Sequence, residues 1–132
     1  MPKTTAQLDH ANITVSDPAA TAAWMEKLFG WHIRWQGDAI AGGHTIHVGN
    51  DHGYVALYNP GKPLSATTSS YTQIAGLNHL AVTVDDLDAT EAAIKAHGFE
   101  TCNHADYEPG RRFYFHDSEG VEFEVVSYAK AP

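Results

Sequence analysis

A chain of 132 residues, 43% of them hydrophobic, has the length of one compact domain that buries roughly two thirds of its unfolded surface. Its single cysteine, Cys102, excludes an intrachain disulfide, and the absence of a signal-like or membrane-spanning apolar run sets a cytoplasmic, non-membrane expectation. A formal charge of −8 with only eight Lys plus Arg argues against nucleic acid, which requires a basic face, and leaves small molecules or other proteins as partners.

In chain order, Leu8-Asp9-His10-Ala11-Asn12-Ile13-Thr14-Val15 alternates with period two, placing Leu8, His10, Asn12 and Thr14 on one strand face and Ala11, Ile13 and Val15 on the other. Asp17 then caps an alanine-rich helix with Pro18 in its first turn and Gly30 as its stop. Three short strands follow, Trp31 to Trp35, Thr45 to Val48 and Tyr54 to Tyr58, separated by glycine-bearing turns. The segment Asn59 to Gly76 is rich in Pro, Gly, Ser and Thr and reads as a linker.

The pattern then recurs. Leu77-Asn78-His79-Leu80-Ala81-Val82-Thr83-Val84-Asp85-Asp86 matches Leu8 to Asp17 without a gap at a constant offset of 69 residues. A second helix capped by Asp86 and closed by Gly98 leads into a weak strand at Phe99 to Cys102, a better one at Arg112 to Phe115, and a last one at Val121 to Ser127. Each half therefore reads as strand, helix and three strands. The expectation is one α+β domain over residues 1–132, with module one at about 7–60, a linker at about 61–75 and module two at about 76–128. The linker permits pairing of the two βαβββ modules within one chain or exchange between two chains.

Alternation in the last strand sets Glu122, Glu124 and Val126 opposite Val121, Phe123 and Val125. If His10, His79 and Glu124 face one concave sheet surface, two imidazoles and a carboxylate form a set suited to a divalent transition metal with open positions. Fe(II) or Mn(II) then leads, with Zn(II) and Ni(II) admissible. A carboxylate held inside such a cavity without a cation costs several kcal/mol. Glu122 is expected at the solvated rim, Arg111 and Arg112 as a solvated pair, and His32, His97 and His104 in solvent. Of His44 and His47, only one can face the cavity. Cys102 reads as a buried small residue, and the Tyr54, Tyr58, Trp31 and Trp35 cluster as core or dimer contact.

The doubled unit, with His10 and His79 opening each first strand and Phe113-Tyr114-Phe115-His116-Asp117-Ser118-Glu119-Gly120-Val121-Glu122-Phe123-Glu124 closing the second, resembles the vicinal oxygen chelate superfamily. That group includes glyoxalase I, bleomycin-resistance proteins, fosfomycin-resistance transferases, methylmalonyl-CoA epimerase and type I extradiol dioxygenases. The resemblance spans Leu8 to Tyr128. It implies two βαβββ modules in a curved mixed sheet, a homodimer, and metal positions at His10, His79 and Glu124. The position corresponding to Glu124 in module one is Val55 or Leu57 by two alternative alignments, and Tyr54 to Tyr58 contains no carboxylate. Without a second glutamate, glyoxalase-like lyase or isomerase chemistry falls behind extradiol-type dioxygenase chemistry on a substrate with vicinal oxygens. Fosfomycin chemistry ranks low, because only Tyr128 to Pro132 follow the last strand and no arginine is among them. By the same resemblance His52 is the candidate acid/base and Tyr114 the candidate hydrogen-bond donor to substrate. The alternative function is a metal-free binding protein of the bleomycin-resistance kind, whose acidic cavity takes a cationic aromatic compound.

Overall fold

A computed structural model describes residues 5–65, 70–107 and 110–128. The chain divides into two compact units, Met1–Leu64 and Ser65–Pro132. In the first, β1 (His10–Thr14), α1 (Pro18–Phe29), β2 (His32–Asp38), β3 (His44–Asn50) and β4 (Gly53–Asn59) form a four-stranded mixed sheet of order β1-β4-β3-β2 with β1 parallel to β4. The second repeats the plan with β5 (Leu80–Thr83), α2 (Leu87–His97), β6 (Thr101–Tyr107), β7 (Gly110–His116) and β8 (Glu122–Ser127), in the order β5-β8-β7-β6. This is the α+β plan of two βαβββ modules that the sequence implies. Among the described residues no helix is long and apolar enough to cross a membrane.

Both helices start and stop where the sequence signals. The Asp17 carboxylate accepts the Ala20 N–H at 3.1 Å, Asp86 accepts the Ala89 N–H at 3.0 Å, and Gly30 and Gly98 close the helices with φ of +69° and +112°. Such values are strained for any residue with a Cβ.

The two cores are filled from opposite sides. In unit one the helix contributes the bulk, with Trp24 and Met25 buried over the aliphatic Ile46, Val48 and Leu57. In unit two the helix buries only Leu87 and Ile94, while the sheet supplies Phe113, Phe115 and Phe123, each at most 1% exposed. A slim helix face over a bulky sheet face reaches the same close packing as the reverse.

Several strand boundaries differ from expectation, among them that of β2, which runs on past Trp35 to Asp38. β1 begins at His10, and Leu8 is exposed. His79 lies just ahead of β5. β6 runs from Thr101 to Tyr107 instead of Phe99 to Cys102, because a register shift between Cys102 and Ala105, with Asn103 at φ +53°, lets the strand continue past the point where its alternation breaks.

The ladders also correct the alignment of the two halves. Asn12 pairs with Ala56 and Ala81 with Glu124, so the counterpart of Glu124 is Ala56, neither Val55 nor Leu57. The offset is 69 residues on the first strands (81 − 12) and 68 on the last (124 − 56), with 67 on β3 and β7 between them (114 − 47), because α2 is one residue shorter than α1 and the two turns that follow differ by one residue each in opposite directions. No carboxylate stands at that position, as the sequence reading anticipated.

Candidate functional site

In unit two, the apolar residues of β7 and β8 turn toward α2. Their alternation leaves Arg112, Tyr114, His116, Glu122 and Glu124 on the opposite face. The strands pair Tyr114 with Glu124 and His116 with Glu122, which brings these polar groups into one cluster.

His79 joins the cluster between the two carboxylates. Its Nδ1 stands 3.2 Å from Glu122 Oε2 and its Nε2 3.1 Å from Glu124 Oε1. Glu122 also accepts the Tyr71 hydroxyl, from the short 3₁₀ turn Ser70–Thr72, and lies 3.5 Å from His116 Nε2. The hydrogen bond to Glu122 holds the Tyr71 phenol up to about 12, so this hydroxyl stays a neutral donor at physiological pH.

Glu124 is 8% exposed and fully engaged. Its Oε2 takes Arg112 NH1 at 3.2 Å, and its Oε1 accepts the Tyr114 hydroxyl at 3.1 Å. Burial, and then the bond to Glu124, push the Tyr114 phenol above its ordinary value and keep its proton in place. Two sequence readings are corrected here. Arg112 is not solvated: 12% of its side chain is exposed, against the 10% of its partner Glu124. Glu122 is no open rim residue either, with 15% of its side chain exposed and three neighbours holding it. The signal for both was the parity of Arg112, Tyr114 and His116 against Phe113 and Phe115, which puts all three on the face of Glu122 and Glu124. Tyr71 carried no such signal, since it lies outside any periodic segment.

The His79 geometry has a chemical consequence. With Nδ1–H directed at Glu122, a neutral imidazole presents its Nε2 lone pair to the Glu124 oxygen, and two acceptors 3.1 Å apart require a proton or a cation between them. Donors bound side by side on one transition metal, at roughly 2.1 Å each, are separated by about this distance. The pair thus fits a metal as well as it fits an imidazolium. Among the described residues no group of three or more His, Cys, Asp or Glu is arranged to hold a metal.

Unit one carries the repeat counterparts in different chemistry. His10 Nδ1 pairs with Asp9 at 2.7 Å, and this bond holds the Asp9 carboxyl below its ordinary value. Tyr54 stacks on His10 (4.7 Å between centroids) and on His47 (4.4 Å), and the Arg34 guanidinium lies 4.7 Å from the Tyr54 centroid. Trp35 tilts against His47 at 5.2 Å and is half exposed, so this cluster lines a surface and is not core. Burial lowers the affinity of His47 for a proton, an effect reinforced by His10. His44 is exposed, so His47 is the one of the two that meets the ring cluster. By ladder register Tyr54 corresponds to Glu122, Ala56 to Glu124, His47 to Tyr114 and Thr45 to Arg112.

Of the remaining sequence candidates, His52 is exposed in the turn between β3 and β4, where its N–H donates to Asn50 Oδ1. Of the predicted metal set, the structure brings His79 and Glu124 together in unit two; His10 belongs to unit one. His104 is exposed, as the sequence reading expects, and its Nε2 pairs with Glu91, which also accepts the Thr101 hydroxyl. Cys102 is half-buried, not buried. Of the residues after the last strand, 129–132 lie outside the described residues.

A family model described as the Glyoxalase/Bleomycin resistance protein/Dioxygenase superfamily matches residues 7–125. The chain belongs to this superfamily. A curated relative, the uncharacterized protein YaeR of Escherichia coli (strain K12), is 27% identical over 132 residues, covering 90% of this chain and 94% of its own length. Among solved structures, the glyoxylase/bleomycin resistance protein/dioxygenase domain from Frankia sp. EAN1pec is similar with a TM-score of 0.77 and 18% identity, over 94% of this chain and 98% of that one. TnmS3, an antibiotic binding protein from Streptomyces sp. CB03234, is similar with a TM-score of 0.73 and 16% identity, over 96% and 98%. At these identities the likeness to solved structures is one of fold. Superfamily members typically bind small molecules, and many of them use divalent metals.

Proposed function

We propose that this superfamily member binds a small molecule with vicinal oxygens at the polar cluster of unit two, with a divalent metal held by His79 Nε2 and Glu124 Oε1. The observation that carries the reading is the pair of acceptor atoms 3.1 Å apart, with Glu122 on the other side of the imidazole to fix its tautomer. One nitrogen and one carboxylate oxygen suit Fe(II) or Mn(II) ahead of Zn(II) or Ni(II) in a four-ligand site. When bound, such an ion supplies Lewis-acid polarisation of substrate oxygens. Tyr114 holds Glu124 Oε1 through its hydroxyl proton, and Tyr71 and Glu122 keep the His79 ring in one orientation. Extradiol-type dioxygenase chemistry is favoured over glyoxalase I-like lyase or isomerase chemistry, since Ala56 occupies the place where a second glutamate would act. His10 and His52 are the unit-one candidates for a further ligand and an acid/base.

A second reading has its own observation. Arg112 already supplies a cation to Glu124, as a metal-free binder of the bleomycin-resistance kind would require, and Trp35, His47 and Tyr54 offer ring faces for an aromatic ligand. Calorimetry with Mn(II) and Fe(II) on anaerobic protein separates the two. Binding by the parent that is lost in His79→Ala and Glu124→Gln supports the metal site, and the His10→Ala titration tests for a third ligand. Catechols with O₂ uptake as readout then test the reaction. Parent and variants equally indifferent to metal would overturn the first reading and direct screening to cationic aromatic compounds.

A further inference from the structure

Arg112 is tied down on every side. Its NH1 reaches Glu124 Oε2 at 3.2 Å, its Nε and NH2 both donate to Gly110 O at 3.2 Å, and its guanidinium lies 5.2 Å from the centre of the Tyr107 ring. The carbonyl that anchors it is itself fixed. A Cβ on residue 110 would sit 2.4 Å from Ser127 O, so only glycine lets β7 approach β8 closely enough there. The guanidinium therefore cannot leave Glu124 without giving up several contacts at once.

We infer that Arg112 is a positioning residue that permanently occupies Glu124 Oε2 and restricts the carboxylate to single-oxygen ligation through Oε1, weakening the hold of the site on a divalent cation. The inference rests on the metal reading of Glu124. Two effects act in the same direction. A guanidinium beside the carboxylate repels an incoming dication, and it denies the second oxygen that a free glutamate would add to the coordination. Oε1 is further shared with the Tyr114 hydroxyl, so one acceptor direction is left for His79 or a metal. A merely structural Arg112 would, when removed, release Glu124 from its place and loosen metal binding; a positioning residue of this kind predicts the opposite.

The test is calorimetric titration of Mn(II) and Co(II), with the Co(II) visible spectrum as a second readout. The proteins are the parent, Arg112→Met, Arg112→Lys and Glu124→Gln, with far-ultraviolet circular dichroism to establish that each is folded. Arg112→Met is expected to bind at least about tenfold tighter, the scale set by removing one unit charge close to a dication in a partly buried site. Its Co(II) spectrum should shift as the second oxygen becomes available. Arg112→Lys, which keeps the charge, should stay near the parent. Metal bound only by Arg112→Met, and not by the parent, also supports the inference, with the arginine standing in the cation's place. A parent that binds metal while Arg112→Met binds equally or more weakly overturns the inference and leaves the site reading intact. No binding in any of the four proteins overturns the site reading and the inference with it.

Discussion

The Arg112–Glu124 pair gives the sharpest energetic test of the cluster. With 12% and 10% of their side chains exposed, both partners have left most of their water, so their interaction lies nearer to a buried pair than to a surface one. Removing one partner of a buried pair costs roughly 3–5 kcal/mol when the other is left alone. Neither is left alone here. After Arg112→Met, Glu124 still accepts from Tyr114 and faces His79, so a loss of about 2–3 kcal/mol is expected. After Glu124→Gln, the guanidinium keeps Gly110 O and the Tyr107 ring, and about 1–2 kcal/mol is expected. The double variant removes the charge imbalance as well as the pair, so the cycle should return a coupling of about 1.5–2.5 kcal/mol. Urea denaturation of metal-free protein measures it, with unchanged m-values establishing that only stability has moved. The coupling should survive 1 M NaCl, where the screening length is about 3 Å, because solvent ions do not enter between the partners. A coupling under about 0.5 kcal/mol, or one abolished by salt, would mean a solvated surface contact and refute the reasoning.

Asp117 should make a contribution opposite in sign to most carboxylates. Its Oδ1 accepts the N–H groups of Glu119 and Val121, but burial outweighs them and pushes the carboxyl above its ordinary 3.8, with Oδ2 buried and unpartnered. A folded-state value above the unfolded one means a contribution present below about 3.8 and lost as pH rises through the folded value. Asp117→Asn should therefore gain more stability than the parent between pH 3 and pH 7 in urea midpoint, and identical gains would show that the carboxyl is not penalised. Phe123→Ala removes a ring that is 1% exposed and stacked 5.1 Å from Phe115; about 3–5 kcal/mol of stability should go, read by denaturant unfolding, and under 1 kcal/mol would contradict the packing described for unit two. Ala56→Glu places a carboxylate at a position 3% exposed, opposite His47 and with Thr45 where unit two has Arg112, so a loss above about 3 kcal/mol is expected in thermal or urea unfolding; parent-like stability would show that unit one tolerates the charge at this position.

The elements were legible where a local signal sufficed. Asp17 and Asp86 as caps, Gly30 and Gly98 as stops and the ungapped repeat of the first strands are each written within a few neighbouring residues, and the structure places them accordingly. Register across the halves was not, since one-residue differences in helix length and in the turns between strands are silent in local composition. The two alternative alignments fell on either side of Ala56 for that reason. Within the site, the parity of β8 revealed that Glu122 and Glu124 share a face. The partner strand had the same information in Arg-Phe-Tyr-Phe-His, but it becomes a contact list only once the pairing Tyr114 with Glu124 is known. Tyr71 was out of reach, because it arrives from the connecting segment and nothing local records which side chains it will meet.

The correspondence between the units explains why only unit two carries a carboxylate at the Glu124 position. A buried carboxylate needs a cation and donors at fixed places, and the positions that supply them in unit two, Arg112 and Tyr114, are Thr45 and His47 in unit one. Neither threonine nor a histidine whose proton affinity is lowered by burial supplies a standing positive charge. With no cation at those two positions, a small apolar residue is the stable occupant of the Glu124 counterpart, and Ala56 is what stands there. The substitutions at these three positions thus form a matched set: Glu124 with Arg112 and Tyr114 on one side, Ala56 with Thr45 and His47 on the other. The freed face of unit one is covered instead by stacked rings, which tolerate partial exposure because they present polar edges as well as apolar faces. A duplicated fold can in this way hold two different kinds of surface on one backbone plan, an aromatic one that favours stacking and a charged one that favours coordination or hydrogen bonding, and the difference is decided by three ladder positions.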